Sequence, residues 1–114
     1  PALSLIIACT ILLSTWRLLK ESLRLSRDGV PADMNLQEVK DAAKKISGIL
    51  DIHHVHLWGM STTENALTAH IVIDANASLE DAEKIKHDFK HELKHMNIQH
   101  VTLEIESSDE KCEE

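Results

Sequence analysis

What this chain has little of narrows its function before any motif is found. Of 114 residues, two are cysteine, Cys9 and Cys112, and they stand at opposite ends, so no disulfide framework organises the chain. Basic charge is in deficit: 12 Lys+Arg against 19 Asp+Glu give a net charge of −7, which repels nucleic-acid phosphates and argues against a nucleic-acid partner. The three glycines form no phosphate-binding loop, and no Ser or Cys stands beside a base in a nucleophilic arrangement, so the sequence offers nothing from which to build an enzyme. The length leaves room for one domain of ordinary size and excludes two.

Such charge as there is divides unevenly. Residues 1–27 carry Arg17, Lys20, Arg24 and Arg27 against Glu21 alone, a net +3 that leaves −10 for the remainder. Ala2 to Thr15 hold no charge, and Trp16, Leu18 and Leu19 extend the apolar run around Arg17 to about 18 residues, close to the ~20 that cross a bilayer as a helix. A secretory signal places its basic residues ahead of the apolar stretch, whereas here they follow it. Trp16 stands where an interfacial aromatic is expected. The basic collar behind it predicts, by the positive-inside rule, that residues 1–19 sit in a plasma or inner membrane and that everything downstream is cytoplasmic. A lone span, with Pro1 at its boundary and no initiator Met, reads as the end of a longer membrane protein.

Beyond the span, Trp16, Leu19, Leu23 and Ser26 continue at helical spacing until Gly29-Val30-Pro31 breaks the pattern. This predicts a membrane helix with a basic extension over 1–27 and a linker over 28–34. Asn35 followed by Glu38 is a capping-box signature, and Leu36, Val39, Ala43 and Ile46 then make an amphipathic helix that Gly48 closes. Ile52 to Met60 and Ala66 to Asp74, parted by the polar stretch 61–65, read as a β-hairpin. Ser78 with Glu80 and Asp81 opens a second helix, whose apolar positions run from Leu79 through Ile85, Phe89 and Leu93 to Met96 and which ends near Asn97. Ile98 to Glu106 is a last strand, and 107–114 an acidic tail. Helix, strand, strand, helix, strand over 35–106 predicts an α+β domain with two helices on one face of a three-stranded sheet. The other face is left uncovered, and so small a core favours dimerisation.

All eight histidines lie between His53 and His100. Strict alternation places His53 on one face of the first strand and His54 with His56 on the other, so His53 is not expected to share a mononuclear site with His54. The facing strand adds His70. On the last strand His100, Thr102, Glu104 and Glu106 share a face, presenting an imidazole and two carboxylates that zinc accepts and that Mn or Fe tolerate. One histidine in an apolar strand is commonly an ordinary hydrogen-bonded residue, but four in neighbouring strands point to metal. His87, His91 and His95 recur at i, i+4, i+8, and the flank they make lies two positions from the apolar line Ile85, Phe89, Leu93, so it faces water. A pair of them could chelate, with Asp88 or Glu92 beside it. Cys112 reads equally well as a thiolate donor and as a plain tail residue.

In fixed order, the span PALSLIIACTILLSTWRLLKES, the linker GVP and the strands IHHVHLW, ALTAHIVID and HVTLEIE resemble the C-terminal end of cation diffusion facilitator transporters. The resemblance covers nearly the whole chain. It implies a metallochaperone-like, ferredoxin-like cytoplasmic domain that forms a homodimer and binds Zn2+, or a related ion such as Co2+, Cd2+, Mn2+ or Fe2+, to stabilise that dimer. It also implies metal positions at His53, at His70 and at Glu104 or Glu106, with His100 just upstream. Two departures matter. The family usually has Asp after the first-strand histidine, where this chain has His54. Its transport site lies on earlier membrane helices, which makes those helices expected partners and transport by this chain alone unexpected. The reading that follows is the cytoplasmic regulatory and dimerisation portion of a divalent-cation efflux transporter; the alternative is a freestanding metal-buffering or interaction domain anchored to the membrane.

Overall fold

A computed structural model describes residues 1–27 and 29–109, so Cys112 and most of the acidic tail lie outside the described residues. The elements are α1 (Ala2–Ser26), α2 (Leu36–Lys45), β1 (Ile49–Gly59), β2 (Asn65–Ile73), α3 (Leu79–His95) and β3 (His100–Ser107). The expected order holds, with β1 starting three residues earlier than its apolar run suggested.

The uncharged run and its basic extension form one continuous helix, α1, of 25 residues with none buried, roughly 37 Å long at 1.5 Å per residue. Lys20 Nζ lies 5.7 Å from the centre of the Trp16 ring, which puts an aromatic and a cation together at one level of the helix. The C-terminal turn of α1 meets the rest of the molecule. There Leu25 approaches Gly59 so closely that a Cβ on the glycine would lie 3.0 Å from its methyl.

Local capping signals set the other helix ends. Asn35 Oδ1 accepts from Gln37 N–H at the start of α2, so the expected cap is present but is made to Gln37 rather than to Glu38. At α3 the full reciprocal box forms: Asp81 N–H donates to Ser78 Oγ, and Ser78 N–H donates to the Asp81 carboxylate, each at 3.1 Å. Asn97 ends α3 at φ 62. Its N–H donates to Lys94 O, and Ile98 N–H donates to Leu93 O; this is a Schellman closure that carries Ile98 into the core. Gly48, at φ 104, turns the chain from α2 into β1, and a side chain there would also run into Ile85.

Among the described residues three strands form one sheet in the order β1-β2-β3, with β1 and β2 antiparallel and β2 and β3 parallel. The parallel pair needs a crossover, which α3 supplies. Val39 and Ala43 of α2, with Ile85, Phe89 and Leu93 of α3, close on Ile52, Leu57, Leu67, Ala69 and Ile71 of the sheet to make one core. Both helices therefore cover the same face. The opposite face, which carries His53 and His70 side by side, stays open.

The Ser78 box sets a modest stability term with a defined pH dependence. The Asp81 carboxyl is held below its ordinary range, chiefly by the Ser78 hydroxyl and then by the Ser78 N–H. Because the folded state favours the ionised form, this contribution is present at pH values above the ordinary carboxylate range and is lost as pH falls through the lowered value. Ser78→Ala is expected to cost about 1 kcal/mol at neutral pH and to flatten the acid limb of stability, as read from urea unfolding at several pH values.

Candidate metal centre

The site begins with a break in β1. His53 pairs with His70, but the next ladder positions pair His56 with Thr68, so His54 and Val55 together oppose the single residue Ala69. This is a β-bulge, and His54 occupies the left-handed region at φ 47. The packing requires it. Ile52 and Leu57 are both buried, yet residues five apart in an unbroken strand face opposite ways. One extra residue restores the alternation: Val55 packs on the core, while His53 and His56 fall on the open face.

The extra residue also brings the histidines together. The His54 ring lies 5.0 Å from that of His53 and 4.9 Å from that of His70, with His53 and His70 5.5 Å apart. One ligand atom from each of the three lies within 4.8 Å of the others. The expectation that His53 and His54 belong to separate half-sites is therefore overturned, because the bulge cancels the alternation on which it stood. A signal was present: the spacing Ile52, Val55, Leu57 departs from period two at the double histidine.

The parallel register of β3 places Glu104 opposite His70 and Glu106 opposite Val72. Glu106 reaches between two imidazoles. Its Oε1 lies 2.5 Å from His70 Nδ1 and its Oε2 3.2 Å from His53 Nε2. In the Nδ1–H tautomer His70 donates to Glu106 and its Nε2 offers a lone pair. Glu104 Oε2 lies 3.5 Å from that Nε2, on a largely exposed side chain. Asp51, which no sequence pattern singled out, stands 3.8 Å from His53 Nδ1. Three imidazoles held on adjacent strands, with carboxylates at their edges, make a donor set that fits a four-coordinate divalent ion such as zinc and that cobalt or manganese can also use.

The other histidines lie elsewhere. His56 is on the open face opposite Thr68 but outside the triad. His100 shares that face, yet it pairs with Ala66, four residues along β2 from His70, or about 13 Å at strand rise; its Nε2 lies 3.7 Å from a carboxylate oxygen of Glu64. His87, His91 and His95 are exposed on α3, as their spacing predicted.

Comparison with known proteins agrees with this architecture. Residues 31–108 match a family model described as the cytoplasmic domain of cation efflux proteins. The chain is 31% identical over 107 residues to a cadmium, cobalt and zinc/H(+)-K(+) antiporter of Bacillus subtilis, covering 94% of this chain and 34% of the relative. It is 32% identical over 107 residues to the metal cation efflux system protein CzcD of Cupriavidus metallidurans, covering 92% and 33%. The chain thus spans about a third of the length of the curated relatives it matches. The metal-bound C-terminal domain of that CzcD transporter superposes with a TM-score of 0.56 at 27% identity, over 64% of this chain and 99% of that structure.

Proposed function

The chain belongs to the cation diffusion facilitator family of cation efflux proteins, and from that premise we propose that it is the cytoplasmic regulatory end of a divalent-cation efflux transporter, with the last membrane helix attached. The observation that carries this reading is the triad of His53, His54 and His70 on the open face of the sheet. His53, His54 and His70 supply nitrogen donors, Glu104 a fourth ligand, and Glu106 orients two of the rings. A carboxylate behind a ligating histidine fixes its tautomer and raises its basicity. Zinc suits the set best, and the zinc, cadmium and cobalt in the relatives' names bring ions of the same class to this chain.

Residues 1–19 would lie in the bilayer against the remaining helices of the transporter. The exposed apolar length of α1 supports this, as does the Trp16–Lys20 pair where headgroups begin. The boundaries that follow are 1–27 for the membrane helix and its extension, 28–34 for the linker, 35–106 for the metal-binding domain and 107–114 for the tail. The domain dimerises through its open face, where a second copy covers strands that the helices leave bare.

Metal then stabilises the dimer in two ways. An ion that binds only the assembled state adds stability by mass action, and divalent charge offsets repulsion between two bodies of −10 each. The detergent-solubilised chain is expected to sediment increasingly as a dimer on addition of about a tenfold molar excess of zinc over protein, a loading that drives such linkage. An unchanged monomer fraction would show that metal does not control assembly.

A further inference from the structure

We infer a second metal-binding position, separate from the open-face triad, formed by His91 and His95 of α3. The pair stands at i, i+4 on a helix whose residues Phe89 and Leu93, on the opposite face, are fully buried, so the backbone that carries both rings is held rigidly. Their ring centres are 4.7 Å apart, with the planes at 74°. That is closer than any two rings of the triad, which lie 4.9 to 5.5 Å apart. Both residues are exposed, so an ion reaches them from solvent without any rearrangement of the core.

The surroundings set the strength and the coordination number. His95 is the last residue of α3, where the partial negative charge of the terminal carbonyls attracts a cation. Lys90 and Lys94 line the groove between α3 and β3 beside His91, and their charge opposes the ion. The ring contact on this flank joins His91 and His95, while His87, one turn earlier, has its Nδ1 3.4 Å from Asp88. Two imidazoles with water in the remaining positions make a weak, exchangeable site for ions that favour nitrogen, namely Zn2+, Co2+, Ni2+ or Cu2+.

Its placement gives the site a distinct role. The α3 helix packs on the covered face of the sheet, and the triad lies on the open face, so the core stands between them. When a second copy covers the open face, the α3 pair still faces solvent and can take up and release an ion while the triad is enclosed.

The test titrates the full chain in detergent with Zn2+ and follows the imidazole nitrogens of labelled histidine by NMR. Wild type is expected to show two classes of binding, the weaker one shifting His91 and His95. The double variant His91→Gln, His95→Gln should lose one ion per chain and the whole weaker class, with the tight class unchanged. His70→Ala should lose the tight class and keep the weaker one, so the two sites fail independently. Both substitutions on α3 are at exposed positions and introduce a good helix former, and circular dichroism of the variant checks that the fold is kept. Persistence of the weaker class in the double variant, or His91 and His95 signals that do not move at zinc levels that saturate the chain, would overturn the inference.

Discussion

Replacing His70 with Ala is expected to lower the zinc affinity of the tight site more than tenfold, or ~1.4 kcal/mol, with the fold retained. His70 is on the central strand, it touches both neighbouring rings, and it is the residue to which both β3 carboxylates turn. Its loss removes one nitrogen donor and the ring that Glu104 and Glu106 meet, so the remaining pair cannot hold the ion as firmly. His53→Ala should behave similarly. Replacing His87, His91 and His95 together with Gln should change tight-site affinity less than tenfold, because that flank lies on the other side of the core. Calorimetric titration with zinc ranks the variants. The opposite ranking would transfer the tight site to α3 and remove the basis of the regulatory reading.

A second large effect is expected at His54, where the demands of metal and fold part company. A residue other than glycine in the left-handed region costs roughly 1–2 kcal/mol, and His54 sits there at φ 47. His54→Gly relieves that cost while giving up some unfolded-state entropy, so stability should hold or rise by up to about 1 kcal/mol. Zinc affinity should fall more than tenfold. Deleting His54 outright is the sharper experiment. The strand would then read Ile52, His53, Val55, His56, Leu57 in unbroken alternation, with His53 still opposite His70 and every core residue still inward. The hairpin should fold, and the third imidazole is gone. Unchanged zinc affinity in the deletion would remove His54 from the ligand set, and failure to fold would mean that the bulge serves the hairpin itself. Strain kept at a ligand position, where a smoother strand was available, is what a functional site is expected to show.

Much of this architecture was legible in the linear pattern because it depends on short-range rules. The uncharged run and basic collar marked α1, Ser78 and Asn35 marked helix starts, and the three-to-four spacing from Ile85 to Leu93 marked the buried side of α3. The same spacing placed His87, His91 and His95 toward water, where the structure has them. Alternation along β3 put Glu104 and Glu106 on one face with His100. Each of these features is decided by neighbours within a few residues, through one hydrogen bond or one helical turn.

The candidate metal centre was only half visible, since its geometry depends on pairing between strands. Period two separated His53 from His54, and only the cross-strand ladder, in which two residues of β1 oppose Ala69, rejoined them. The parallel alignment of β3 with β2 decided that Glu106 reaches both His53 and His70 and that His100 ends up beside Glu64. The sequence by itself determined which residues offer metal-binding groups and which elements bear them. Tertiary structure decided which of them meet, because register and bulge are chosen by the fit of the whole core: Ile52, Val55 and Leu57 must all be accommodated inward, and within that stretch the residue left over is His54.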